Sequence, residues 1–317
     1  MVQGGAESLG LVFPGQGSQA VGMGRALYEA YPELKRLYDE ASAVLGYDCA
    51  TLCFEGPAER LNLTEYTQPA LLVSSIAAWQ ALEMVVSLKP VAVAGHSLGE
   101  YSALVVAGGL SFSDAVALVQ KRGRYMSEAV APGSGLVAAL LGLTADVVED
   151  VCRQASSVGV VAPANYNSPG QIVIAGEKAA VERAIEMAKT RGCKRAIPLP
   201  VSVPVHTPLM QGAANRLAAD VASVRWSDLK VPLINNVEAK AITKASDVRS
   251  SLIRQLPSPV LWIDTIQTMV RMGVTTFVEV GPGTVLTGLI KRIVPEAKLF
   301  NVQDPGTLLA TSNALRG

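Results

Sequence analysis

The sequence predicts an α/β protein, with a parallel sheet covered on both faces by helices and a smaller unit inserted into it. Three observations carry this expectation. Two short apolar runs, at 9–13 and 91–94, each end in a glycine-rich turn and lead into helical stretches, as buried parallel strands do. Between about 132 and 201 the pattern changes to strand, helix, strand, strand, helix, strand, which is the order of a ferredoxin-like unit. Half of the 317 residues are hydrophobic and only 5% are aromatic. That composition supplies a sizeable core and suits closely packed helices on a sheet.

Taken in order, the first run ends in Pro14-Gly15-Gln16-Gly17-Ser18-Gln19, a polar loop after a buried strand. Helices are expected around 22–44 and 69–86. The run 91–94 passes directly into Gly95-His96-Ser97-Leu98-Gly99, and helices should follow at 98–107 and 113–130. Pro132-Gly133-Ser134-Gly135 marks a boundary. Beyond it the pattern gives strand 136–142, helix 144–156, strands 159–165 and 171–175, helix 177–191 and strand 194–200. The return to the larger unit brings a loop with His206, a helix, a strand at 231–235, and helices at 247–256 and 259–272. A last strand at 276–280 ends in Gly281-Pro282-Gly283, and the tail from Pro305 reads as frayed. The chain thus divides into a discontinuous large domain, 1–132 and 203–317, and a small subdomain, 133–202.

Lysine plus arginine, at 27, equals aspartate plus glutamate, at 27. A neutral chain has no overall attraction for nucleic acid or an anionic membrane. No apolar run approaches the roughly 18 residues needed to span a bilayer. Residues 1–10 lack the basic start and long apolar stretch of a secretory leader. Cys49, Cys53, Cys152 and Cys193 form no Cys-x-x-Cys pair and lie far from both histidines, which argues against a zinc site. Cys49 and Cys53 read as one face of a helix. The expected setting is the reducing cytoplasm, with free thiols and no metal.

The chemistry is concentrated at Ser97. Gly-x-Ser-x-Gly between an apolar strand and a helix is the nucleophile-elbow pattern, which exposes a serine hydroxyl on a sharp turn. The flanking glycines suit a turn with little room for a Cβ. A serine that merely caps a helix is the competing reading. An activated serine needs a base, and the chain has two histidines. His96 adjoins Ser97, but consecutive side chains on a tight turn point apart. His206, bracketed by Pro204 and Pro208, is then the available base, although a lone histidine is as readily structural. Oxyanion donors are expected from the Leu98 amide at a helix N-terminus and from the 14–19 loop. That loop lacks the lysine and spacing of a P-loop. From the residues alone, Arg122 reads as a solvated or acid-paired helix arginine, and Glu100 as a first-turn acid favoured by the helix dipole.

Seven stretches in order carry a resemblance. They are 13–19; Thr67-Gln68-Pro69-Ala70-Leu71; 95–101 with Glu100 and Tyr101; Arg122-Gly123; Asn165-Tyr166-Asn167-Ser168-Pro169-Gly170-Gln171; Pro204-Val205-His206; and Val278-Glu279-Val280-Gly281-Pro282-Gly283. The chain resembles the malonyl-CoA:acyl carrier protein transacylases of bacterial fatty-acid synthesis, and is similar to the acyltransferase domains of polyketide and fatty-acid synthases, over about 9–303. The resemblance implies an α/β-hydrolase-like core with an inserted ferredoxin-like subdomain. It implies Ser97 as nucleophile, His206 as base, and Gln16 and Leu98 as the oxyanion hole. The main-chain carbonyl of Gln255 would orient the histidine in place of a triad aspartate. Arg122 would hold the free carboxylate of a malonyl group, against the reading above. Gln68, Met126, Asn165 and Asn167 would line or brace the pocket, with His96 beside it. Val205 departs from the serine or phenylalanine that many relatives carry there, a position that helps sense a C2 substituent.

The implied reaction moves malonyl from malonyl-CoA to the phosphopantetheine thiol of acyl carrier protein, without metal or redox cofactor. The partners would be malonyl-CoA and the carrier, with no nucleic acid and no membrane, and the chain a monomer. Carriers of this kind are acidic, which makes Lys194, Arg195, Lys291 and Arg292 candidate docking cations, though ordinary solvated charge explains each as well. The competing functions are a serine hydrolase or thioesterase, the equivalent acyltransferase of a polyketide pathway, and a non-catalytic carrier-docking protein.

Overall fold

β1 (Leu9–Phe13) is buried throughout, as an unbroken apolar run must be in a strand covered on both faces. The structure, a computed structural model, describes residues 8–199, 201 and 203–316. Positions 1–7, part of the 1–10 stretch expected to carry no secretory leader, lie outside the described residues. So do Pro200, at the end of the expected strand 194–200, the expected subdomain boundary at 202, and Gly317.

Five helices follow β1: α1 (Arg25–Ala30), α2 (Lys35–Leu45), α3 (Cys49–Glu55), α4 (Ala58–Leu61) and α5 (Thr64–Val85). The single helix expected at 22–44 is broken by a 3-10 turn at Pro32–Leu34, with Tyr31 extended at φ −126° and ψ 91°. Pro32 has no N–H to give a continuing helix and pushes the residue before it out of the helical region. α5 begins five residues before the expected start at 69 and carries Pro69 inside it. Burial of Thr64, Thr67 and Gln68 outweighs the one hydrogen bond that the proline removes. Cys49 and Cys53 are buried on one face of α3, and all four thiols are free.

β2 (Ala92–Gly95) leads through the elbow into α6 (Gly99–Val106), and α7 (Phe112–Glu128) follows, capped by Ser111. The insert comprises β3 (Gly135–Leu141), α8 (Ala145–Ala155), β4 (Val161–Ser168), β5 (Gln171–Glu177), α9 (Lys178–Thr190) and β6 (Arg195–Pro198). Its antiparallel sheet runs β4-β5-β3-β6, the ferredoxin-like order. Leu140, Ile172 and Ile174 pack there against Val148, Val151 and Val181.

The chain then forms α10 (Gln211–Ser223), β7 (Leu233–Ile234), β8 (Ala241–Ile242), α11 (Ala245–Gln255), α12 (Trp262–Arg271), β9 (Thr276–Val280), α13 (Val285–Ile293), β10 (Lys298–Val302) and α14 (Pro305–Arg316). Two expectations fail here. The strand at 276–280 is not the last, because β10 adds to the sheet beside it. β10 is an edge strand in which Val302 alone is fully buried, so it carries no apolar run to read. The tail is not frayed. Asp304 caps α14 by accepting the Thr307 N–H at 2.8 Å, Pro305 begins the helix, and Leu308 is buried. An acid cap followed by proline is a helix start.

The large sheet has the order β10-β9-β1-β2-β7-β8, parallel from β10 to β7, with β8 antiparallel. From β1 the chain places β2 on one side and β9 on the other. Such a switch point opens a crevice at the carboxyl ends of the strands. The loops after β1, β2, β7 and β9 meet there. The insert is tied to this edge by backbone bonds, Tyr166 N to Val260 O and Val260 N to Ala164 O, both 2.9 Å.

Candidate active site

Ser97 sits between β2 and α6 with φ 52°, a left-handed conformation that a serine rarely adopts. The glycines around it explain how the turn can be this tight. A Cβ on Gly95 would lie 1.9 Å from the backbone of Gly99, and one on Gly99 would lie 2.0 Å from the Phe13 carbonyl. Side chains are therefore excluded by backbone on both sides. The Ser97 amide donates to Asn236 Oδ1 at 2.7 Å, and Asn236 Nδ2 donates to the Gly95 carbonyl at 2.7 Å. One asparagine from the loop after β7 thus pins the strained turn.

His206 meets the serine across 109 residues. Ser97 Oγ lies 2.8 Å from His206 Nε2. The other ring nitrogen, Nδ1, lies 3.0 Å from the Gln255 carbonyl and 3.1 Å from the Ser258 carbonyl. Carbonyls only accept, so Nδ1 carries the proton and Nε2 is left to accept from the serine. His206 is 2% exposed, and its φ is 61°. Burial, reinforced by the Arg122 charge, pushes its pKa from 6.5 down to about 3, so the ring is neutral at neutral pH. The pair can move a proton from oxygen to nitrogen with no acid in the relay.

Arg122 comes from the buried face of α7 and is 1% exposed, neither solvated nor acid-paired. Its described hydrogen-bond partners are neutral: Gln68 Oε1 at 2.8 Å, Gln255 Oε1 at 3.0 Å and Ser97 Oγ at 3.1 Å. The guanidinium also stands over the Tyr101 ring, 5.7 Å from its centroid. Gln68 Nε2 in turn contacts Met126 Sδ at 3.3 Å, which places both beneath the arginine. A buried cation whose described hydrogen-bond partners are all neutral is chemically able to receive an anion, here within reach of the serine oxygen.

The remaining expected residues fall around this centre. Leu98 stands at the N-cap of α6, and the amides after it turn back on the elbow, Gly99 N to the His96 carbonyl at 3.0 Å and Glu100 N to the Ser97 carbonyl at 3.1 Å. The Gln16 side chain donates to Thr64 Oγ1 at 3.2 Å, which ties the loop after β1 to the start of α5. Gln16 and Thr64 line a cavity of about 320 Å³ with Ser127, Pro132, Val201 and Val203, between the two units. His96 does not turn to the serine. Its Nε2 pairs with Asn167 Oδ1 at 2.8 Å and its ring packs edge-on to Trp262, joining the elbow to the insert. Asn165 is buried on β4, bridged to Val260.

Asn236 is missing from the sequence reading, and Glu100 reads there only as a first-turn acid. Asn236 could have been found as a polar residue just past a parallel strand, where sites gather. Glu100 does lie in the first turn of α6, but its side chain faces inward. It is fully buried, and its Oε2 accepts from the Asn236 amide at 3.1 Å and from Gln255 Nε2 at 2.8 Å.

Residues 11–304 match the family of the acyl transferase domain. The chain belongs to that family. The malonyl CoA-acyl carrier protein transacylase of Salmonella typhimurium is 49% identical over 94% of this chain and 97% of its own. The protein of the same name from Bacillus subtilis is 48% identical over 95% of each. Among solved acyltransferase structures, the transacylase of Coxiella burnetii superposes with a TM-score of 0.96 at 45% identity, covering 98% of this chain and 99% of that one. A malonyl-transacylase solved in complex with the acyl carrier protein of a type II polyketide synthase gives a TM-score of 0.95 at 44% identity, over 97% and 100%. The α/β fold with a separate antiparallel subdomain is thus shared along nearly the whole length.

Proposed function

We propose that this acyltransferase moves malonyl from malonyl-CoA to the phosphopantetheine thiol of acyl carrier protein in fatty-acid synthesis, through malonyl-Ser97. The observation that carries the reading is Arg122, a buried guanidinium with neutral partners 3.1 Å from the serine oxygen. An acyl group with a free carboxylate fills that seat while presenting its thioester to Ser97. An acetyl group leaves the charge unpaired, and sites built this way reject the analogue that lacks the polar group. His206 Nε2 takes the Ser97 proton as Oγ attacks the thioester carbonyl. The Leu98 and Gln16 amides hold the oxyanion. The C–S bond then breaks, and CoA sulfur leaves with the proton from His206. In the second half the carrier thiol gives its proton to His206 and attacks malonyl-Ser97, and Ser97 Oγ recovers the proton. The steps need no metal or redox cofactor, since side chains and backbone amides supply base, clamp and oxyanion donors.

The carrier is taken to be acidic. Lys194, Arg195, Lys291 and Arg292 are all exposed, and Arg292 bonds Gln171, whose strand neighbour Leu141 pairs with Arg195. That common rim supports a docking face. Among the described residues no helix is long and apolar enough to cross a membrane, and we place the reaction in the cytoplasm, on a monomer. Mass spectrometry after mixing with malonyl-CoA should give one malonyl adduct, on Ser97, that passes to an added carrier. Ser97→Ala should give none. Release of free malonate in place of transfer would mean a hydrolase.

A further inference from the structure

We infer that Glu100 is a positioning residue for acyl selection: its carboxylate oxygen holds the Gln255 side chain in the one orientation that presents a carbonyl to Arg122. The inference rests on the reading of Arg122 as the carboxylate seat.

Gln255 is the residue through which base and clamp are joined. Its main-chain carbonyl accepts a hydrogen bond from His206 Nδ1, and its side-chain carbonyl accepts one from Arg122 Nη2 at 3.0 Å. A primary amide is nearly symmetric in shape, so a half-turn would exchange oxygen and nitrogen at little steric cost. It would also set an NH2 group against a guanidinium, donor against donor, and push Arg122 from its place beside Ser97. Arg122 alone does not decide the matter, since it must keep an open side for substrate. The other face of the amide decides it. There Nε2 meets three acceptors, of which Glu100 Oε2 at 2.8 Å is the nearest, then the Ser97 carbonyl at 3.1 Å and Asn236 Oδ1 at 3.5 Å. With acceptors on one side and a cation on the other, only one orientation satisfies every atom.

Glu100 is itself held. The same Oε2 accepts the Asn236 N–H at 3.1 Å, and Asn236 pins the elbow through Ser97 N. Among the described residues the second oxygen, Oε1, is buried with no hydrogen-bond partner. One oxygen therefore does all of the orienting, and what is required at that point is an acceptor at the right reach rather than a full carboxylate. Glutamine can supply that oxygen at position 100. Aspartate, one methylene shorter, keeps the carboxyl group but withdraws the acceptor, and leucine has none.

The test is the ratio of kcat/KM for malonyl-CoA to that for acetyl-CoA, with kcat and KM measured separately. Four purified variants are compared with the unmodified protein: Glu100→Gln, Glu100→Asp, Glu100→Leu and Arg122→Ala. Glu100→Gln should keep the ratio within about twofold. Glu100→Asp and Glu100→Leu should each lower it about tenfold or more, mainly through a higher KM for malonyl-CoA, with acetyl transfer little changed. Parallel loss of both substrates in either variant, an unmoved ratio in Glu100→Asp, or a loss in Glu100→Gln as large as in Glu100→Asp would each overturn the inference. The aspartate and glutamine variants decide the question even if Glu100→Leu does not fold. Arg122→Ala separates the two levels. If it leaves the ratio unchanged, the carboxylate seat itself is wrong. If it collapses the ratio while Glu100→Asp does not, only the positioning role falls.

Discussion

Ser97 and His206 both occupy left-handed backbone, at φ 52° and 61°. Strain of this kind costs on the order of 1–3 kcal/mol per residue and persists only where the surroundings over-determine it. Here Asn236 fixes one residue, and the carbonyls of Gln255 and Ser258 fix the other. His206→Ala should fold and lose about 10²- to 10⁴-fold in transfer rate, the usual worth of a general base, measured against malonyl-CoA. The pH profile is more telling. Burial and the Arg122 charge together hold the free His206 down at about 3, so kcat/KM should have no acid limb near 6.5. A malonyl carboxylate on Arg122 cancels that charge and makes the ring more basic, so the acid limb of kcat should lie above that of kcat/KM. A limb in kcat/KM at about 6.5 would contradict the desolvated base. The sequence yielded His206 by elimination, because only two histidines exist. It could not yield Glu100, since first-turn acids usually face solvent and only packing sends this one inward.

At the scale of elements, the site is made by turns at one sheet edge, and the tolerance of those turns is set by backbone contact. A methyl on Gly99 would lie 2.0 Å from the Phe13 carbonyl, which belongs to a central strand and has no room to yield. Gly99→Ala should cost about 1–3 kcal/mol or more by overpacking, read as a lower urea midpoint. It should also cut acylation, because the Leu98 amide moves with the turn. Ordinary stability with full activity would show that the elbow is looser than the contacts require. The motif foretold this, since glycines on both sides of the serine have no other purpose. By contrast, β10 and α14 were hidden. An edge strand need not be apolar, and a short helix with a modest apolar face differs little from a tail until it is seen packed against β10, with Thr311 Oγ1 on the Asn301 carbonyl at 2.9 Å.

For the whole molecule, Glu100 and His206, among the buried groups with shifted pKa, contribute opposite slopes of stability with pH. Glu100 is raised, mainly by burial, from 4.5 to about 7. The folded state binds its proton more tightly than the unfolded chain, so stability present below 4.5 is lost as pH rises towards 7. His206 is depressed from 6.5 to about 3. The unfolded chain binds that proton more tightly, so stability is lost as pH falls below 6.5. Between about 4.5 and 6.5 the two effects oppose each other and nearly cancel. Glu100→Gln removes one of them. Its unfolding free energy should then rise more steeply with pH across that window than that of the unmodified protein, by up to ~1.4 kcal/mol per pH unit. Equal slopes in denaturant titrations at pH 5 and 6 would show that Glu100 is not the buried acid it is taken to be.

By itself the sequence determined the layered α/β plan, the inserted ferredoxin-like unit, the elbow at Ser97 and the one histidine that could serve it. Those features are written in local pattern: apolar runs, glycine spacing, and the scarcity of a residue type. Packing alone buries Arg122 among neutral hydrogen-bond partners beside the serine, turns His96 away to Asn167, and joins Glu100, Asn236 and Gln255 into one hydrogen-bonded unit at the site. Each of these depends on which side of a helix or loop meets which strand end, across separations of up to 158 residues. Burial and the pairing of buried polar groups are properties of the packed chain, and no local pattern encodes them.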